Sequence, residues 1–262
     1  MDLNLENKRA LVCGSTQGIG KAIALELAKL GATIVLLARN EDKLKQTLQE
    51  LPAEGSQRHE YIVADFTEPY ELNVRVQAYL SQQPEVHILV NNTGGPAGGP
   101  ITEAISDEFT NAFNQHLIAN HLLAKAVIPG MKAANYGRII NIISTSVKQP
   151  LPGLGVSNTI RGAVASWSKT MANELGGFGI TVNNVLPGST KTARIAAIIE
   201  SRAERTGRTK EEIQKEMEAE VPAGRFAEPH EVGAAAAFLA SPAASYINGI
   251  NLPVDGGRTG CL

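Results

Sequence analysis

The sequence predicts an α/β fold: a single-domain, doubly wound parallel sheet of about seven strands with helices on both faces. Apolar runs of strand length alternate with helix-length segments throughout the chain, and polar or glycine residues follow most of the predicted strands. This alternation is typical of a parallel sheet covered on both sides. The 262 residues contain no linker, repeat or low-complexity tract, so we expect one domain over residues 1–262.

The elements are predicted in order from hydrophobic spacing. The first strand is the run Ala10-Leu11-Val12, and the helix after it covers 21–30, where Ile23, Leu27 and Leu30 recur at helical spacing. Further strands are predicted at 33–37, 61–64, 86–90, 138–143, 180–186 and 251–254. Further helices are predicted from Glu41 onward and at 106–131, 157–175 and 229–239.

A glycine-rich turn joins the first strand to the first helix, and it reads Cys13-Gly14-Ser15-Thr16-Gln17-Gly18-Ile19-Gly20. Glycines let a backbone turn tightly and approach a pyrophosphate, which then lies at a helix N-terminus that favours negative charge. The context of strand, glycine turn and helix therefore favours a phosphate site. A tight turn with no ligand is the alternative.

Composition excludes several other classes of protein. Hydrophobic residues make up 43% of the chain and the net charge is −2, so no basic surface for nucleic acid or membrane is predicted. The two cysteines, Cys13 and Cys261, can form neither a disulfide framework nor a zinc site. The N-terminus lacks the pattern of a signal peptide, so we expect a cytoplasmic protein. No metal site is predicted.

Seven motifs, spread over residues 8–257, resemble the short-chain dehydrogenase/reductase family and occur in its order. They are the glycine turn, Asp65, Asn91-Asn92-Thr93-Gly94, residues 137–144, residues 179–183, Pro187-Gly188 and residues 254–257. The closing segments at 222–226 and 238–241 resemble the 3-oxoacyl-(acyl-carrier-protein) reductase branch. The resemblance implies a Rossmann-type fold and an oxidoreductase that interconverts a carbonyl and an alcohol.

Charge at the end of the second strand favours NADP(H) as the cofactor. An acidic residue there would repel a 2′-phosphate, but the chain has Ala38 followed by Arg39. A guanidinium suits a phosphate, with help expected from Ser15 or Thr16. The alternative is a surface pair between Arg39 and Glu41 or Asp42.

The resemblance also implies a full set of cofactor contacts along the carboxyl ends of the strands. The expected set is Gly14, Ser15, Thr16, Gly18, Ile19, Gly20, Arg39, Asp65, Phe66, Asn91, Gly94, Arg161, Pro187, Gly188 and Thr192. Asp65 and Phe66 would flank the adenine, and Thr192 would hold the nicotinamide end. For Asn91, an internal bond that braces the strand end is as good an interpretation as a ligand contact.

The expected catalytic residues depart from the family pattern. Family members carry a Ser, a Tyr, a Lys four residues later and an Asn on the preceding helix. Ser144 is present, but the positions of the Tyr, Lys and Asn are held by Ser157, Arg161 and His116. A serine is a much weaker acid than a tyrosine, and a guanidinium stays protonated. The site therefore keeps groups that stabilise an oxyanion and loses its usual general acid.

His116 is the expected replacement acid, because an unperturbed imidazole titrates near pH 6.5. The alternative is a packed histidine that holds a water or a carbonyl. Two functions follow: an NADP(H)-dependent carbonyl reductase with a rewired proton donor, or an NADP(H)-binding protein with little catalysis, acting as a sensor or an inactive partner subunit. The carbonyl substrate could be similar to a 3-oxoacyl thioester.

Two surface features complete the expectations. Residues 189–221 form a lid-like segment with a charged stretch, in which Glu211 and Lys215 can pair. The family resemblance implies a homotetramer that pairs through helices near 106–131 and 157–175 and through the C-terminal strand. Apolar surface for this pairing is expected from Ala163, Val164, Trp167 and Met171. The expected substrate is a small-molecule carbonyl or alcohol.

Overall fold

A computed structural model describes residues 1–261 and contains, within them, one sheet of seven parallel strands. The strands are β1 (Arg9–Cys13), β2 (Thr33–Ala38), β3 (Glu60–Val63), β4 (Ile88–Asn91), β5 (Gly137–Ile142), β6 (Ile180–Pro187) and β7 (Asn251–Val254). Their order is β3-β2-β1-β4-β5-β6-β7, and the chain changes direction across the sheet between β1 and β4. Ligands of such sheets bind at the carboxyl ends of the strands, beside this switch point.

The helices account for most of the rest of the chain. They are α1 (Gly18–Lys29), α2 (Glu41–Glu50), α3 (Pro69–Leu80), α4 (Ser106–Phe113), α5 (Ala119–Ala133), α6 (Gly155–Leu175), α7 (Ala193–Thr206), α8 (Lys210–Ala219) and α9 (Pro229–Ala240). A π-helical turn over Asn114–Ile118 joins α4 to α5, so the helix predicted at 106–131 is interrupted. No helix in residues 1–261 is long and apolar enough to cross a membrane.

Two apolar layers hold the helices to the two faces of the sheet. Side chains alternate along each strand, so Ala10 and Val12 pack toward α1, α2 and α9, whereas Leu11 packs toward α3, α5 and α6. The five residues of β1 include four buried ones, as expected for a central parallel strand. The predicted doubly wound fold is confirmed.

Helix α3 was not predicted, although its signals are present in the sequence. Leu72, Val76 and Leu80 recur every fourth residue and are the buried face of the helix. Pro69 occupies its first turn, where backbone N–H groups have no acceptor within the helix and the missing N–H of a proline therefore costs nothing. The polar residues between them hid this spacing.

The lid-like segment is a pair of helices with a small core of its own. Ile199 and Ala203 of α7 pack against Ile213 and Met217 of α8, and Phe226 closes the cluster. A capping box between Thr209 and Glu212 begins α8.

Charged side chains of the lid-like segment form ion pairs between elements rather than within one helix. Glu216 of α8 binds both Arg202 of α7 and Arg208 of the connecting loop. In the described chain, the expected pair between Glu211 and Lys215 does not form. The two helices therefore hold each other as one unit.

Four buried or half-buried asparagines form a ladder across neighbouring strands. Asn91 donates to Asn141 at 2.8 Å, Asn141 donates to Asn184 at 3.0 Å, and Asn184 donates to Asn251 at 2.8 Å. Parallel pairing puts each of them directly opposite the next. This asparagine ladder ties β4 to β7 near the edge of the sheet that carries the site.

Candidate active site and cofactor cleft

The glycine turn after β1 packs so tightly that side chains are excluded from it. Gly14 has a φ of +58°, and a Cβ on it would lie 2.5 Å from the Asn92 carbonyl oxygen. A Cβ on Gly20 would lie 2.2 Å from the carbonyl oxygen of Gly14. The Asn92 amide braces the turn by donating to the carbonyls of Cys13 and Gly14, at 3.2 and 3.3 Å. Sequence reasoning gave this bracing role to no residue.

The start of α1 leaves backbone donors free for an anion. The helix begins at Gly18, its N-cap Gln17 makes no side-chain cap hydrogen bond, and no acidic residue lies in the first turn. Gly18 has a φ of +54°, and its Cβ would lie 3.1 Å from Thr192 Cγ2. The turn thus meets the loop after β6, as the expected pyrophosphate site requires. These residues fit a dinucleotide, and Ile19 and Thr16 line the same turn half-buried.

One of the expected cofactor residues has another role. Ser15 is 0% exposed, and its hydroxyl accepts a hydrogen bond of 3.1 Å from the Leu37 backbone N–H. This side chain therefore ties the glycine turn to β2, which leaves Thr16 as the better placed of the two residues expected to help Arg39 with a 2′-phosphate.

Arg39 and Asp65 meet at the ends of β2 and β3. Their nearest side-chain atoms, Arg39 Nη1 and Asp65 Oδ2, are 3.9 Å apart, and the Arg39 side chain is 76% exposed. The alternative pairing of Arg39 with Glu41 or Asp42 is not formed in residues 1–261. A pair this open is weak and leaves the guanidinium available to a phosphate. Phe66 lies next to it, half-buried against the core on the α3 face.

The end of β4 combines an internal brace with an open loop. The Asn91 amide is bonded within the asparagine ladder, as the bracing interpretation predicted, but its Oδ1 is buried without a partner in the described structure. Gly94 is exposed, and a Cβ there would meet nothing within 4 Å. Open space of this kind suits the approach of a ribose.

Pro187 and Gly188 end β6 against the closing motif of the chain. A Cβ on Gly188 would lie 2.7 Å from Asp255 Cβ, and the Gly188 N–H donates to the Val254 carbonyl at 3.0 Å. Thr192 then caps α7, with its hydroxyl on the Thr190 carbonyl at 3.3 Å. The expected nicotinamide-end residues therefore follow one another on a fixed loop.

The expected catalytic groups lie after β5 and on α6. Ser144 follows β5 by two residues, and Ser157 and Arg161 lie on α6. The Ser144 Oγ accepts a hydrogen bond from the Ser146 N–H at 3.1 Å, which leaves its own proton free to donate. Ser157 and Arg161 lie one turn apart on α6, and each is 8% exposed. Arg161 Nη1 donates to the Ile142 carbonyl at the end of β5, at 2.8 Å.

Arg161 keeps its charge at neutral pH. Burial, together with the positive charge of Arg194, lowers the pKa of Arg161 to about 10. A group with that pKa is still protonated at pH 7, so the guanidinium can stabilise an oxyanion. It cannot supply a proton at neutral pH.

His116 lies in the π-helical turn and is 2% exposed. Its Nδ1 is 2.7 Å from the Thr93 hydroxyl, and its Nε2 is buried with no partner in the described structure. Burial, with a smaller contribution from the Arg161 charge, lowers the pKa of His116 to about 3. The expectation of a histidine acid that titrates near neutrality is therefore wrong. The imidazole is neutral at pH 7 and offers Nε2 as a hydrogen-bonding atom only.

Arg194 is the site residue that sequence reasoning missed. It is the second residue of α7, two positions after Thr192, and its Nη2 donates to the Pro96 carbonyl at 2.6 Å. The signal in the sequence was its place two positions after the expected carboxamide contact. Its approach to Arg161 depends on tertiary structure and could not be seen in the sequence.

Within residues 1–261, no group of three or more His, Cys, Asp or Glu side chains lies close enough together to hold a metal ion. The fold and the cleft together define a dinucleotide-binding protein of the doubly wound class.

Comparison with known proteins identifies the family. A family model described as enoyl-(acyl carrier protein) reductase matches residues 14–259. The 3-oxoacyl-(acyl-carrier-protein) reductase of Vibrio cholerae is 34% identical over 257 residues, which cover 97% of this chain and 98% of that protein. The chain belongs to the short-chain dehydrogenase/reductase family, as its motifs predicted.

Solved structures give the same result. The L-sorbose reductase of Gluconobacter frateurii, complexed with NADPH and L-sorbose, is 32% identical with a TM-score of 0.92 over 100% of both chains. An actinorhodin polyketide ketoreductase with NADPH is 32% identical with a TM-score of 0.90, covering 97% of this chain and 98% of that one. The predictions of an oxidoreductase and of NADP(H) are confirmed by these relatives, which do not favour a protein without catalysis.

Proposed function

We propose that this protein uses NADPH to reduce the carbonyl group of a small molecule to an alcohol. The observation that carries the proposal is the buried Arg161 guanidinium, which lies one helical turn from Ser157 and shares the end of β5 with Ser144. We infer that these three groups direct hydrogen-bond donors at one oxygen atom. An arrangement of fixed donors stabilises the negative charge that grows on a carbonyl oxygen during reduction.

The glycine turn, Arg39, Asp65 and Thr192 would hold the cofactor. NADPH, when bound, supplies the hydride for the reaction. The 2′-phosphate would replace Asp65 as the partner of Arg39, because a guanidinium binds a phosphate through paired hydrogen bonds.

The proton of the new alcohol needs a source other than a tyrosine. The five tyrosines are at 61, 70, 79, 136 and 246, outside the segment between Ser144 and Gly179. His116 is neutral because its pKa is about 3, and Arg161 stays charged. We therefore assign the proton to water that enters beside the exposed Gly94, with Ser157 and His116 Nε2 orienting the oxygen that receives it.

The test is oxidation of NADPH in the presence of ketones and of 3-oxoacyl thioesters. Steady turnover that falls about tenfold or more in Ser157→Ala supports the proposal, since the variant loses one donor to the oxyanion. Binding of NADPH without turnover of any compound would contradict it. The double variant Ser157→Tyr with Arg161→Lys separates the two readings: ketone reduction gained only in that variant identifies an intact cofactor cleft without native catalysis.

We further propose that the protein is a homotetramer that pairs through α5 and α6. An apolar groove of about 350 Å³ runs between these helices and is lined by His121, Lys125, Ile128, Pro129, Met171, Glu174 and Leu175. Val164 is fully buried, so the expectation that it supplies exposed surface is wrong, whereas Met171, which is 9% exposed, lines the groove. Ile128 and Pro129 serve that purpose instead. A monomer by light scattering at micromolar concentration would contradict this assembly.

A further inference from the structure

Two arginines from distant parts of the chain converge on the loop after β4. A methyl group placed on Gly95 would lie 3.6 Å from Nη2 of Arg161 and 3.7 Å from Nη2 of Arg194. Arg161 comes from α6, beneath the loop, and Arg194 comes from the first turn of α7 in the lid-like segment. We call these two residues the arginine pair.

The arginine pair has no acidic partner. Within residues 1–261 neither guanidinium forms an ion pair with a carboxylate. Their described bonds are one each to the backbone carbonyls of Ile142 and Pro96. A guanidinium carries five N–H donors, so most donors of the buried Arg161 remain for another group, and those of the exposed Arg194 are open to a ligand from solvent.

Arg138 provides an internal comparison for Arg161, because both are buried without an acidic partner. Its guanidinium lies 4.1 Å from the centre of the Tyr136 ring and donates to the carbonyls of Gly137, Gly179 and Ser241. These contacts satisfy it within the chain. The arginine pair lacks any such set and adds the repulsion of two like charges, which a bound anion would relieve.

A second unsatisfied group lies beside the pair. The charge of Arg161 acts on His116, whose Nε2 is buried without a partner. His116 is also bonded to Thr93, two residues before Gly95. A ligand at this place would therefore meet two guanidinium groups and a neutral imidazole within one small region.

We propose that the arginine pair binds a carboxylate on the substrate, which makes the substrate class the oxo acids. This inference rests on the proposed reductase function and names the substrate of that same site. The cofactor diphosphate has its own place at the uncapped start of α1, where Gly18 faces Thr192. Arg161 instead reaches the end of β5, next to Ser144, where the carbonyl would be polarised.

Seating of a carboxylate would also draw the lid toward the site. Arg194 is the second residue of α7, and α7 is held to α8 by the cluster of Ile199, Ala203, Ile213, Met217 and Phe226. A bond between the carboxylate and Arg194 therefore acts on the whole unit. Binding of the acid group would in this way couple the position of the lid to the presence of substrate.

The first experiment measures binding without turnover. Calorimetry on the NADPH-loaded protein uses malonate as the probe and dimethyl malonate as its uncharged counterpart. We expect malonate alone to bind, with an affinity about 10- to 100-fold lower in Arg194→Leu and partly recovered in Arg194→Lys. Arg205→Leu is the matched control, because Arg205 is exposed on the same helix and outside the site.

The second experiment compares turnover of acetoacetate and of acetoacetyl-N-acetylcysteamine, which share one 3-oxoacyl group and differ in charge. We expect Arg194→Leu to raise the KM for acetoacetate about 10- to 100-fold and to raise that for the thioester by a much smaller factor. Malonate binding that depends on Arg194 without turnover of either compound would uphold the inference and contradict the reductase proposal for these compounds. Failure of malonate to bind, equal binding in Arg194→Leu, or an equal loss of NADPH affinity in that variant would overturn the inference.

Discussion

The asparagine ladder and the arginine pair lie at the same edge of the sheet, yet their hydrogen bonding differs in kind. An amide can both donate and accept, so Asn91, Asn141, Asn184 and Asn251 form a row in which the two central members do both. A guanidinium only donates, and the buried Arg161 has one described acceptor, the Ile142 carbonyl. A buried donor therefore points to a ligand when the chain supplies it with few acceptors, as for Arg161, and to structural bracing when its partners lie within the chain, as for Asn141.

The largest expected effect comes from breaking the ladder at its centre. Asn141→Leu leaves Asn91, Asn184 and Ser168 without their partner inside the protein. Because an unpaired buried polar group costs about 1–3 kcal/mol, we expect a loss of about 3 kcal/mol or more in the free energy of unfolding by urea. Asn251→Ala at the half-buried end should cost about 1 kcal/mol. Equal losses in the two variants would contradict a central role for Asn141.

The next effect concerns Arg39, a guanidinium at the other end of the cleft that can only donate hydrogen bonds. Arg39→Ala should weaken NADPH binding about 10- to 100-fold, because it removes charge-assisted bonds to the 2′-phosphate, and it should leave NADH binding nearly unchanged. Calorimetric titration of both cofactors measures this. Arg75→Ala, on the outer face of α3, is the control for loss of positive charge. Equal affinity of the unaltered protein for NADPH and NADH would refute the assignment.

The effect of the buried imidazole on stability is small near neutrality and grows as the pH falls. The pKa of His116 is about 3 in the folded protein, below its ordinary value of 6.5, so the unfolded chain takes up the proton first as the pH falls. The contribution of His116 to the free energy of unfolding is complete above pH 6.5. It is lost from there toward pH 3, by about 1.4 kcal/mol per pH unit. His116→Asn should flatten this decline in unfolding free energy. His87, whose pKa burial also lowers, retains its own share.

The control for that measurement is the replacement by Asn of His230, which is exposed on the surface. The same pKa predicts that the pH profile of turnover has no step from His116 near neutrality. A step at pH 6–7 that disappears in His116→Asn would restore the histidine as the acid.

The smallest expected effect is in the lid. Hydrogen exchange through residues 194–221 should slow together, by a few fold, when NADPH and a substrate bind, because α7 and α8 share one apolar cluster. Mass spectrometry resolves the two helices. Slowing of α7 alone would show that the pair separates, and no change at saturation would identify a fixed surface element.

The sequence predicted those parts of the molecule that depend on neighbours along the chain. The glycine turn, the strands and the position of Arg39 are local patterns, and six of the nine helices lie where apolar spacing placed them or within a longer predicted segment. Ser15 shows the limit of prediction from local patterns. Nothing in its local sequence reveals that its hydroxyl is bonded to Leu37.

The properties of the site depend on contacts that sequence cannot show. Arg161 and Arg194 are 33 positions apart, and only the packing of α6 and α7 around Gly95 brings them together. The pKa of His116 follows from burial among residues of other elements. The sequence could predict which residues belong to the site, but it could not predict their protonation states or their hydrogen-bond partners.

The π-helical turn over Asn114–Ile118 has a consequence for how this site can change. A π turn holds an extra residue compared with an α-helix, and each residue of an α-helix turns the chain by about 100°. Deleting one residue there would rotate α4 by that angle relative to α5 and lift Phe109 and Ala112 off Val156 and Ile160 of α6. Substitution at position 116 is therefore open to evolution and to engineering, whereas a change in the length of this turn would disrupt the packing of two helices.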